Sequence, residues 1–301
     1  VIGGGPLGLE LEQEHRRLGA AVTVLQAAKP LAKDDPECAA IVLDRLAHEG
    51  VAIRAGVKIL RTERLRGKPR VILEVPEGGE EMIEGSHLLV ATGRRANVEG
   101  LGLEAAGIRY EPRGIVVDKA LRTANRKVYA IGDAVLGTPQ FTHVANYHAG
   151  LVIRSALFRL PVDHRAGTIP WVTYTDPELA HAGLTEEAAR TRHGRVGVLR
   201  WPYCENDRAQ AEGETEGHIK IVTAKSGRIV GATIVGAQAG EMIATWTLAI
   251  TQRMNVSAFL GTVLPYPTLS EIGKRAALTH FAPRLTSPWT KRIIGILRRF
   301  G

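Results

Sequence analysis

Cysteine is scarce in this sequence, with only Cys38 and Cys204 among 301 residues. Two thiols so far apart in sequence do not make a disulfide scaffold, and they lack the clustered spacing of a zinc site. We therefore expect no bound metal and a reducing, cytoplasmic setting. Cys38 belongs to a helix start at 35–37, where we expect a small side chain that is buried or half-buried.

Long apolar runs are missing too. No stretch reaches the roughly 18 apolar residues that a membrane-spanning helix needs, and no signal peptide or low-complexity segment is visible. A hydrophobic content of 45% over this length predicts a soluble globular protein with two or more cores. Two residues precede the first glycine turn, so we also expect the sequence to begin inside a folded unit.

Acidic residues are absent from the last part of the sequence. The last one is Glu271, and seven basic residues follow it, against a net charge of +8 for the whole chain. The rest of the chain is therefore close to balanced, and we expect no basic face that would bind nucleic acid. The seven basic residues are Lys274, Arg275, Arg284, Lys291, Arg292, Arg298 and Arg299.

The first residues carry three glycines at the spacing of a dinucleotide-binding turn. In such a turn, glycine allows a tight bend, close approach of the backbone to a pyrophosphate, and close packing of the next helix on its strand. The pyrophosphate would lie at the helix N-terminus, which favours negative charge. An ordinary glycine turn is the alternative. The predicted nucleotide-binding residues are Gly3, Gly5, Pro6, Leu7 and Gly8.

The residues after this turn complete a strand–helix–strand unit. Apolar residues recur at helical spacing from Leu9 to Leu18, Gly19 ends the helix, and 21–25 has the pattern of a buried parallel strand. An acidic residue after that strand would bind the adenosine ribose of NAD, but Gln26 stands there, with Lys29 three residues on. Gln26 can bond a ribose hydroxyl and Lys29 could neutralise a 2′-phosphate, which favours NADPH. A solvated loop lysine is the alternative.

Beyond this unit the pattern predicts an α/β chain in three segments and a tail. We expect boundaries that give residues 1–91, 92–164, 165–283 and 284–301. The further predicted elements are a helix at 36–49, a strand at 51–53, a β-rich stretch at 57–90, strands at 114–117, 128–131, 218–222 and 229–235, and helices at 241–251 and 270–278.

Five ordered motifs give the chain a family resemblance; they occupy 3–10, 91–97, 129–134, 174–178 and 265–271. Together they resemble the flavin-dependent pyridine nucleotide–disulfide oxidoreductases, the family of dihydrolipoamide dehydrogenase, glutathione reductase and mercuric reductase. The resemblance implies an α/β fold in which a Rossmann-like NAD(P)-binding domain is inserted in a partial FAD-binding domain and followed by an α+β dimerisation domain. It also implies FAD and NAD(P)H as cofactors and a homodimer.

The resemblance assigns flavin-binding roles to residues of the middle segment. Gly93 and Arg94 stand where the chain would return to the FAD domain, with a plain inter-domain turn as the alternative. Gly132 ends a buried strand, and Asp133 would accept from a ribityl hydroxyl, although a helix-capping aspartate would look similar. The segment Phe141-Thr142-His143 resembles a helix start beside the flavin ring, where His143 would be structural and not catalytic.

The resemblance also yields three catalytic candidates, Glu10, Tyr266 and Glu271. Glu10 stands where the family places a carboxylate near nicotinamide and flavin, although it would also favour a helix dipole there. Family members that protonate a dithiol carry a histidine at the position of Tyr266, paired with a glutamate at the position of Glu271. Tyrosine titrates near pH 10, so Tyr266 cannot readily act as that base. The tyrosine in place of histidine favours mercuric reductase-like chemistry over lipoamide or glutathione chemistry. The alternative is that Tyr266 is only a packed aromatic side chain in a proline-rich loop.

The family's redox-active cysteine pair and its first flavin glycine turn are not in this sequence, and Cys204 lacks a resolving partner. We predict an oxidoreductase that passes electrons from NAD(P)H through FAD to a disulfide, a metal ion or another small-molecule acceptor. We expect that activity to require an N-terminal segment not included here. The competing prediction is a truncated, non-catalytic module that binds nucleotide or dimerises.

The basic tail has a helix start at Ser287-Pro288. Its pattern suits an interfacial helix on an anionic membrane, which would place a cytoplasmic protein at the inner face of that membrane. An amphipathic helix docked on protein is the alternative, because so short a helix is marginal alone. The residues expected on its apolar face are Trp289, Ile293, Ile296, Leu297 and Phe300.

Overall fold

The computed structural model describes residues 1–75, 78–285 and 287–299. Contacts divide the chain into two compact units, one formed by Val1–Thr92 with Pro170–Gly301 and the other by Gly93–Ile169. Both units mix helices and strands, so the α/β class is confirmed. The expected boundaries after residues 91, 164 and 283 stay predictions.

The first unit begins with a small parallel sheet. Strands β1 (Thr23–Gln26) and β2 (Ala52–Ala55) pair in parallel, and Ile2 forms parallel bridges to Leu25 and Val90. Helix α1 (Pro6–Arg17) follows the bridging residue Ile2, and helix α2 (Pro36–His48) follows β1. The predicted strand–helix–strand unit is confirmed. The first helix starts three residues earlier than predicted because proline, which lacks an N–H, suits its first position.

Three antiparallel strands follow, as the β-rich stretch predicted. They are β3 (Lys58–Leu65), β4 (Lys68–Glu74) and β5 (Glu80–Glu84), in the order β3-β4-β5. Val71 and Leu73 of β4 are buried in a cluster with Leu25 of β1. The sheet is therefore anchored to the parallel strands by its central member.

The second unit has little regular strand. It contains β6 (Tyr110–Glu111), β7 (Gly114–Ile115), a short 3₁₀ turn at Gly132–Ala134 and helix α3 (Thr142–Ala156). The predicted strand at 114–117 is shorter than expected. The strand predicted at 128–131 was wrong: it makes a single bridge, between Tyr129 and Arg122. A strand needs a continuous ladder of backbone hydrogen bonds, and the apolar pattern alone does not supply a neighbour.

A five-stranded antiparallel sheet occupies the rest of the first unit. Its strands are β8 (Trp171–Thr173), β9 (Glu178–Gly183), β10 (Val196–Pro202), β11 (His218–Ala224) and β12 (Ile229–Gly236). Their spatial order is β10-β11-β12-β9-β8. The predicted strands at 218–222 and 229–235 are confirmed.

Helices cover this sheet and bury its core. Trp246 stacks on Phe259 with ring centroids 4.8 Å apart, and both belong to a cluster with Ile219, Ile234 and Ile272. The helices predicted at 241–251 and 270–278 are confirmed as α6 (Ala239–Thr251) and α7 (Glu271–Thr279). None of the described helices is long and apolar enough to span a membrane. The helices are α4 (Glu186–His193), α5 (Asp207–Glu212), α6 (Ala239–Thr251), α7 (Glu271–Thr279), α8 (Ala282–Leu285) and α9 (Pro288–Leu297).

A buried cluster of charges joins α2 to the large sheet. The Lys220 ammonium lies 2.7 Å from Asp35 Oδ2, 2.8 Å from a Glu186 oxygen and 3.1 Å from a Glu37 oxygen. Its side chain is only 4% exposed, so its charge is tolerable because three carboxylates surround it. Asp35 also caps α2 through the N–H of Glu37. Cys38, in the next turn, is fully buried as predicted, and burial raises the pKa of its thiol.

Glu12 lies on the buried side of α1 and is fully enclosed. Neither of its carboxylate oxygens has a hydrogen-bond partner among the described residues. Burial raises its pKa to about 8. Its usual value is 4.5, so the folded protein keeps a proton that the unfolded chain releases between these two values.

Because the folded state binds more protons, stability falls as pH rises between 4.5 and 8. We expect Glu12→Gln to remove this loss, which amounts to about 5 kcal/mol across the interval. Urea unfolding at a series of pH values measures it. Glu14→Gln, on the exposed side of the same helix, should keep the wild-type slope; equal slopes for wild type and Glu12→Gln would refute the assignment.

Candidate functional site

The glycine turn forms a close-packed cradle at the start of α1. Gly3 has φ +112, and a Cβ there would lie 2.4 Å from the Ala91 carbonyl oxygen. A Cβ on Gly8 would lie 2.0 Å from the Gly3 carbonyl oxygen. Helix and strand can therefore approach each other only where both residues lack a side chain.

Gly5 differs from its two neighbours in the turn. A Cβ built on it meets no atom of the described residues within 4 Å, and its φ of −82 is open to any amino acid. It occupies the N-cap of α1, where it has no side chain to cap the helix, and Pro6 follows it. The space beside Gly5 and the uncapped helix start suit an anion such as a pyrophosphate.

Gln26 and Lys29 lie on the other side of this turn. The Gly4 N–H donates to Gln26 Oε1 at 2.7 Å, so the side chain at the end of β1 holds the glycine turn directly. Its amide nitrogen is still a donor for a ribose hydroxyl. Lys29 is exposed. Sequence reasoning placed Gln26 near a ligand but missed its bond to the turn.

One face of α1 is bonded along the loop at 174–176. Glu10 Oε1 accepts from the Tyr174 N–H at 2.7 Å. Gln13 donates to the Asp176 carbonyl oxygen and accepts from the Asp176 N–H, both at 2.8 Å, and Arg17 pairs with the Asp176 carboxylate at 2.7 Å. These α1 residues are three and four positions apart, so they share one helix face. The predicted catalytic Glu10 is therefore already engaged with a backbone amide.

In the second unit, Arg94 and Asp133 come together although 39 residues separate them. The Arg94 guanidinium lies 3.5 Å from Asp133 Oδ2, and both side chains are substantially exposed. Gly93 has φ +118 and Gly132 has φ +60, so both adopt backbone conformations that favour glycine. A Cβ on Gly132 would lie 2.7 Å from Ala145 Cβ in α3. The turn before Asp133 is thus packed against the helix.

His148 holds this turn and was not predicted. The Gly132 N–H donates to His148 Nδ1 at 3.1 Å, and the imidazole is only 1% exposed. The ring must be neutral at Nδ1 to accept this bond. Burial, followed by the nearby His164, lowers the His148 pKa and so favours that state. The histidine lies on the apolar face of α3 with Val144 and Leu151, which was the available sequence signal.

Phe141, Thr142 and His143 form the start of α3, where a helix start was expected. Phe141 is the N-cap and the helix begins at Thr142. The Phe141 and His143 rings stack with centroids 5.1 Å apart. His143 is exposed, and its predicted structural role stays a prediction.

Tyr266 and Glu271 lie in and after the proline-rich loop before α7. The Tyr266 hydroxyl donates to Asp207 Oδ2 at 2.6 Å, and this bond raises its pKa. A raised pKa makes tyrosine a still poorer base near neutral pH. Tyr266 is 69% exposed in the single chain, and the alternative of a packed aromatic stays a prediction. Glu271 is the first residue of α7. Asp207, 59 residues from Tyr266, could not have been identified from sequence.

Comparison with known proteins decides the family. Residues 1–149 match the model for pyridine nucleotide-disulphide oxidoreductases, and residues 169–277 match the model for the dimerisation domain of the same family. The chain belongs to the pyridine nucleotide–disulphide oxidoreductase family. Members of this family bind FAD and NAD(P)H and act as oxidoreductases.

The similar proteins include several kinds of oxidoreductase. The chain is 41% identical over 281 residues to dihydrolipoyl dehydrogenase of Thermus scotoductus, covering 90% of this chain and 59% of that protein. It is 36% identical over 282 residues to mercuric reductase of Bacillus cereus, with 93% and 44% covered. The flavoprotein disulfide reductase RclA of Escherichia coli has a similar structure, with a TM-score of 0.84, 27% identity and coverage of 92% and 63%. The chain thus spans about 60% of the length of several relatives.

The residues present fit both cofactors of the family. The open space beside Gly5 and the uncapped start of α1 suit the pyrophosphate of a pyridine nucleotide. In the second unit, Asp133 and Arg94 are exposed on the turn that Gly132 shapes, where a carboxylate and a guanidinium suit hydroxyl and phosphate groups.

The Gly5→Ala variant tests nucleotide binding independently of folding stability. Because the new methyl group meets open space, we expect the thermal unfolding midpoint to stay unchanged. If the pyrophosphate lies against this backbone, the methyl group blocks it and lowers NADPH affinity by roughly tenfold, about 1.4 kcal/mol. Nucleotide titration by fluorescence and thermal unfolding measure the two effects.

Gly8→Ala serves as the contrasting variant, because its methyl group would overlap the Gly3 carbonyl oxygen. It should lower the unfolding midpoint together with the affinity. Unchanged NADPH binding by a fully folded Gly5→Ala protein would show that the nucleotide does not use this turn.

Proposed function

We propose that this chain supplies the NAD(P)H-binding and dimerising parts of a flavoprotein oxidoreductase, which passes electrons from NAD(P)H through FAD to a small-molecule acceptor. The observation that carries the proposal is the cradle at Gly3, Gly5 and Gly8, within a chain that matches both family models. Bound FAD would supply the two-electron chemistry of hydride acceptance. The protein's own part is to bind and orient the donor.

The proposed nucleotide contacts follow from the turn. The N-terminus of α1 would bind the pyrophosphate through the backbone of Gly5, Leu7 and Gly8. Gln26 is already fixed by Gly4 and would present its amide nitrogen to the adenosine ribose. Glu10 would lie near the nicotinamide, with its carboxylate oriented by the Tyr174 N–H.

We propose that the electron acceptor is neither lipoamide nor glutathione. Tyr266 stands where dithiol chemistry needs a histidine, and its hydroxyl is committed to Asp207 with a raised pKa. A group that holds its proton near neutral pH cannot take one from a thiol. This supports an acceptor whose reduction needs no such base, such as the acceptor of a mercuric reductase. The similar proteins include both mercuric reductases and dihydrolipoyl dehydrogenases.

We extend the proposal to assembly and location. The match of residues 169–277 to a dimerisation domain supports a homodimer in which two copies of this region pair. We propose a cytoplasmic protein with a peripheral membrane contact through residues 287–300. Neither nucleic acid nor a resident metal forms part of this proposal.

The decisive experiment adds FAD to the purified chain, removes unbound flavin, and records the visible spectrum before and after anaerobic NADPH. Retained flavin that NADPH bleaches supports the proposed electron transfer, because electrons must then pass between the two bound cofactors. It would also contradict the expectation that a further N-terminal segment is required. The Gly5→Ala variant should retain flavin but resist bleaching at low NADPH.

Retained nucleotide binding without flavin would instead support the non-catalytic module. Absence of both bound cofactors would contradict the proposal. Turnover with Hg²⁺ and with lipoamide, measured on a protein that also carries the redox-active cysteine pair, distinguishes the two acceptor classes. Faster turnover with lipoamide would refute the assignment based on Tyr266.

The coenzyme preference has its own test. If Lys29 neutralises a 2′-phosphate, Lys29→Glu should lower NADPH affinity by roughly tenfold or more, the effect of losing a charged hydrogen bond, and leave NADH affinity nearly unchanged. Lys33→Glu, at another exposed lysine of the same segment, is the matched control. Unchanged affinity for both coenzymes in the Lys29 variant would make Lys29 a solvated loop residue, and equal losses for NADPH and NADH would show that it does not recognise the 2′-phosphate.

A further inference from the structure

Helix α9 is a well-capped helix at the end of the described chain. It spans Pro288–Leu297, with proline at its first position. Ser287 caps it, because its hydroxyl accepts from the Thr290 N–H at 3.1 Å. Ten residues give a length of roughly 15 Å, which suits a helix that lies on a surface.

The apolar side chains of α9 are exposed. Trp289 is 74% exposed, Ile296 50% and Leu297 61%, with Ile293 less so at 37%. At 3.6 residues per turn these four lie within about 100° of the helix circumference. They form a single apolar stripe, as the sequence predicted. Phe300, the fifth residue expected there, lies outside the described residues.

The charges around this stripe all have one sign. Lys291, Arg292, Arg298 and Arg299 flank it, and no acidic residue occurs after Glu271 in the sequence. The four basic side chains are exposed. On the helix circumference they lie outside the apolar arc, so an apolar layer and an anionic layer could be contacted together.

This combination distinguishes the occupants that could cover the stripe. A second copy of α9 would bring two sets of four positive charges together, which is unfavourable. Nucleic acid would satisfy the charges but leave tryptophan and isoleucine in water. An anionic lipid surface satisfies both, since acyl chains take the stripe and headgroups take the basic residues.

We propose that α9 is an interfacial helix that binds anionic phospholipid, with Trp289, Ile293, Ile296 and Leu297 in the acyl layer and Lys291, Arg292, Arg298 and Arg299 at the headgroups. The proposal rests on the membrane contact included in the proposed function and not on its redox reaction. Vesicle binding and NADPH oxidation can therefore fail independently of each other.

The test is flotation of the full chain with vesicles of phosphatidylcholine alone and with a third of the lipid replaced by phosphatidylglycerol. We expect binding to the anionic vesicles that weakens as salt is raised. Each basic residue near such a surface contributes about a fivefold gain in affinity, so Lys291→Glu with Arg292→Glu should weaken binding by about 25-fold or more. Lys225→Glu, at an exposed hairpin lysine, should have no effect.

A second readout tests the apolar stripe. Brominated acyl chains should quench the fluorescence of the wild-type chain, and Trp289→Phe should abolish that quenching while the protein still floats. Equal binding to neutral vesicles, no binding to anionic ones, or binding unchanged by the paired charge reversal would each overturn the proposal. A change in oligomeric state on that charge reversal would do so too, because it would identify a protein as the occupant.

Discussion

The close approach of α1 to the parallel sheet is the constraint on which the rest of the first unit depends. Gly8 and the carbonyl of Gly3 would overlap if a methyl group stood between them, so this contact exists only because side chains are absent. It sets the direction of α1. Its start then faces the open side of the turn, and Gln13 and Arg17 meet the loop at 174–176.

Two kinds of buried charge show how the unit is held together. Lys220 loses water but gains three carboxylate neighbours, and the cluster joins the start of α2 to β11. Glu12 also loses water but gains no hydrogen-bond partner among the described residues. A buried carboxyl in that position is tolerated as the neutral acid. The first arrangement ties two elements together, whereas the second makes stability depend on pH.

Much of the fold could be predicted because its elements carry periodic patterns. The apolar residues of α1, α2, β11 and β12 recur at the spacing of a helix or a buried strand, and these elements appear close to their expected bounds. The prediction of a strand at 128–131 was wrong because strand pairing depends on a neighbouring strand, which the local sequence pattern does not specify. Glu12 and His148 were missed for a related reason: each is a single residue within an otherwise ordinary helix.

The sequence by itself determined the glycine turn, the order of the five motifs and the basic tail, because glycine spacing, motif order and charge are properties of the chain before it folds. Only the tertiary structure decided that Gln26 holds the turn, that His148 accepts a hydrogen bond from Gly132 and that Asp207 accepts one from the Tyr266 hydroxyl. Each of these bonds joins residues separated by 16 to 59 positions. Such residues come into contact only when tertiary packing brings their elements together. The local periodicity of the sequence does not specify these long-range contacts.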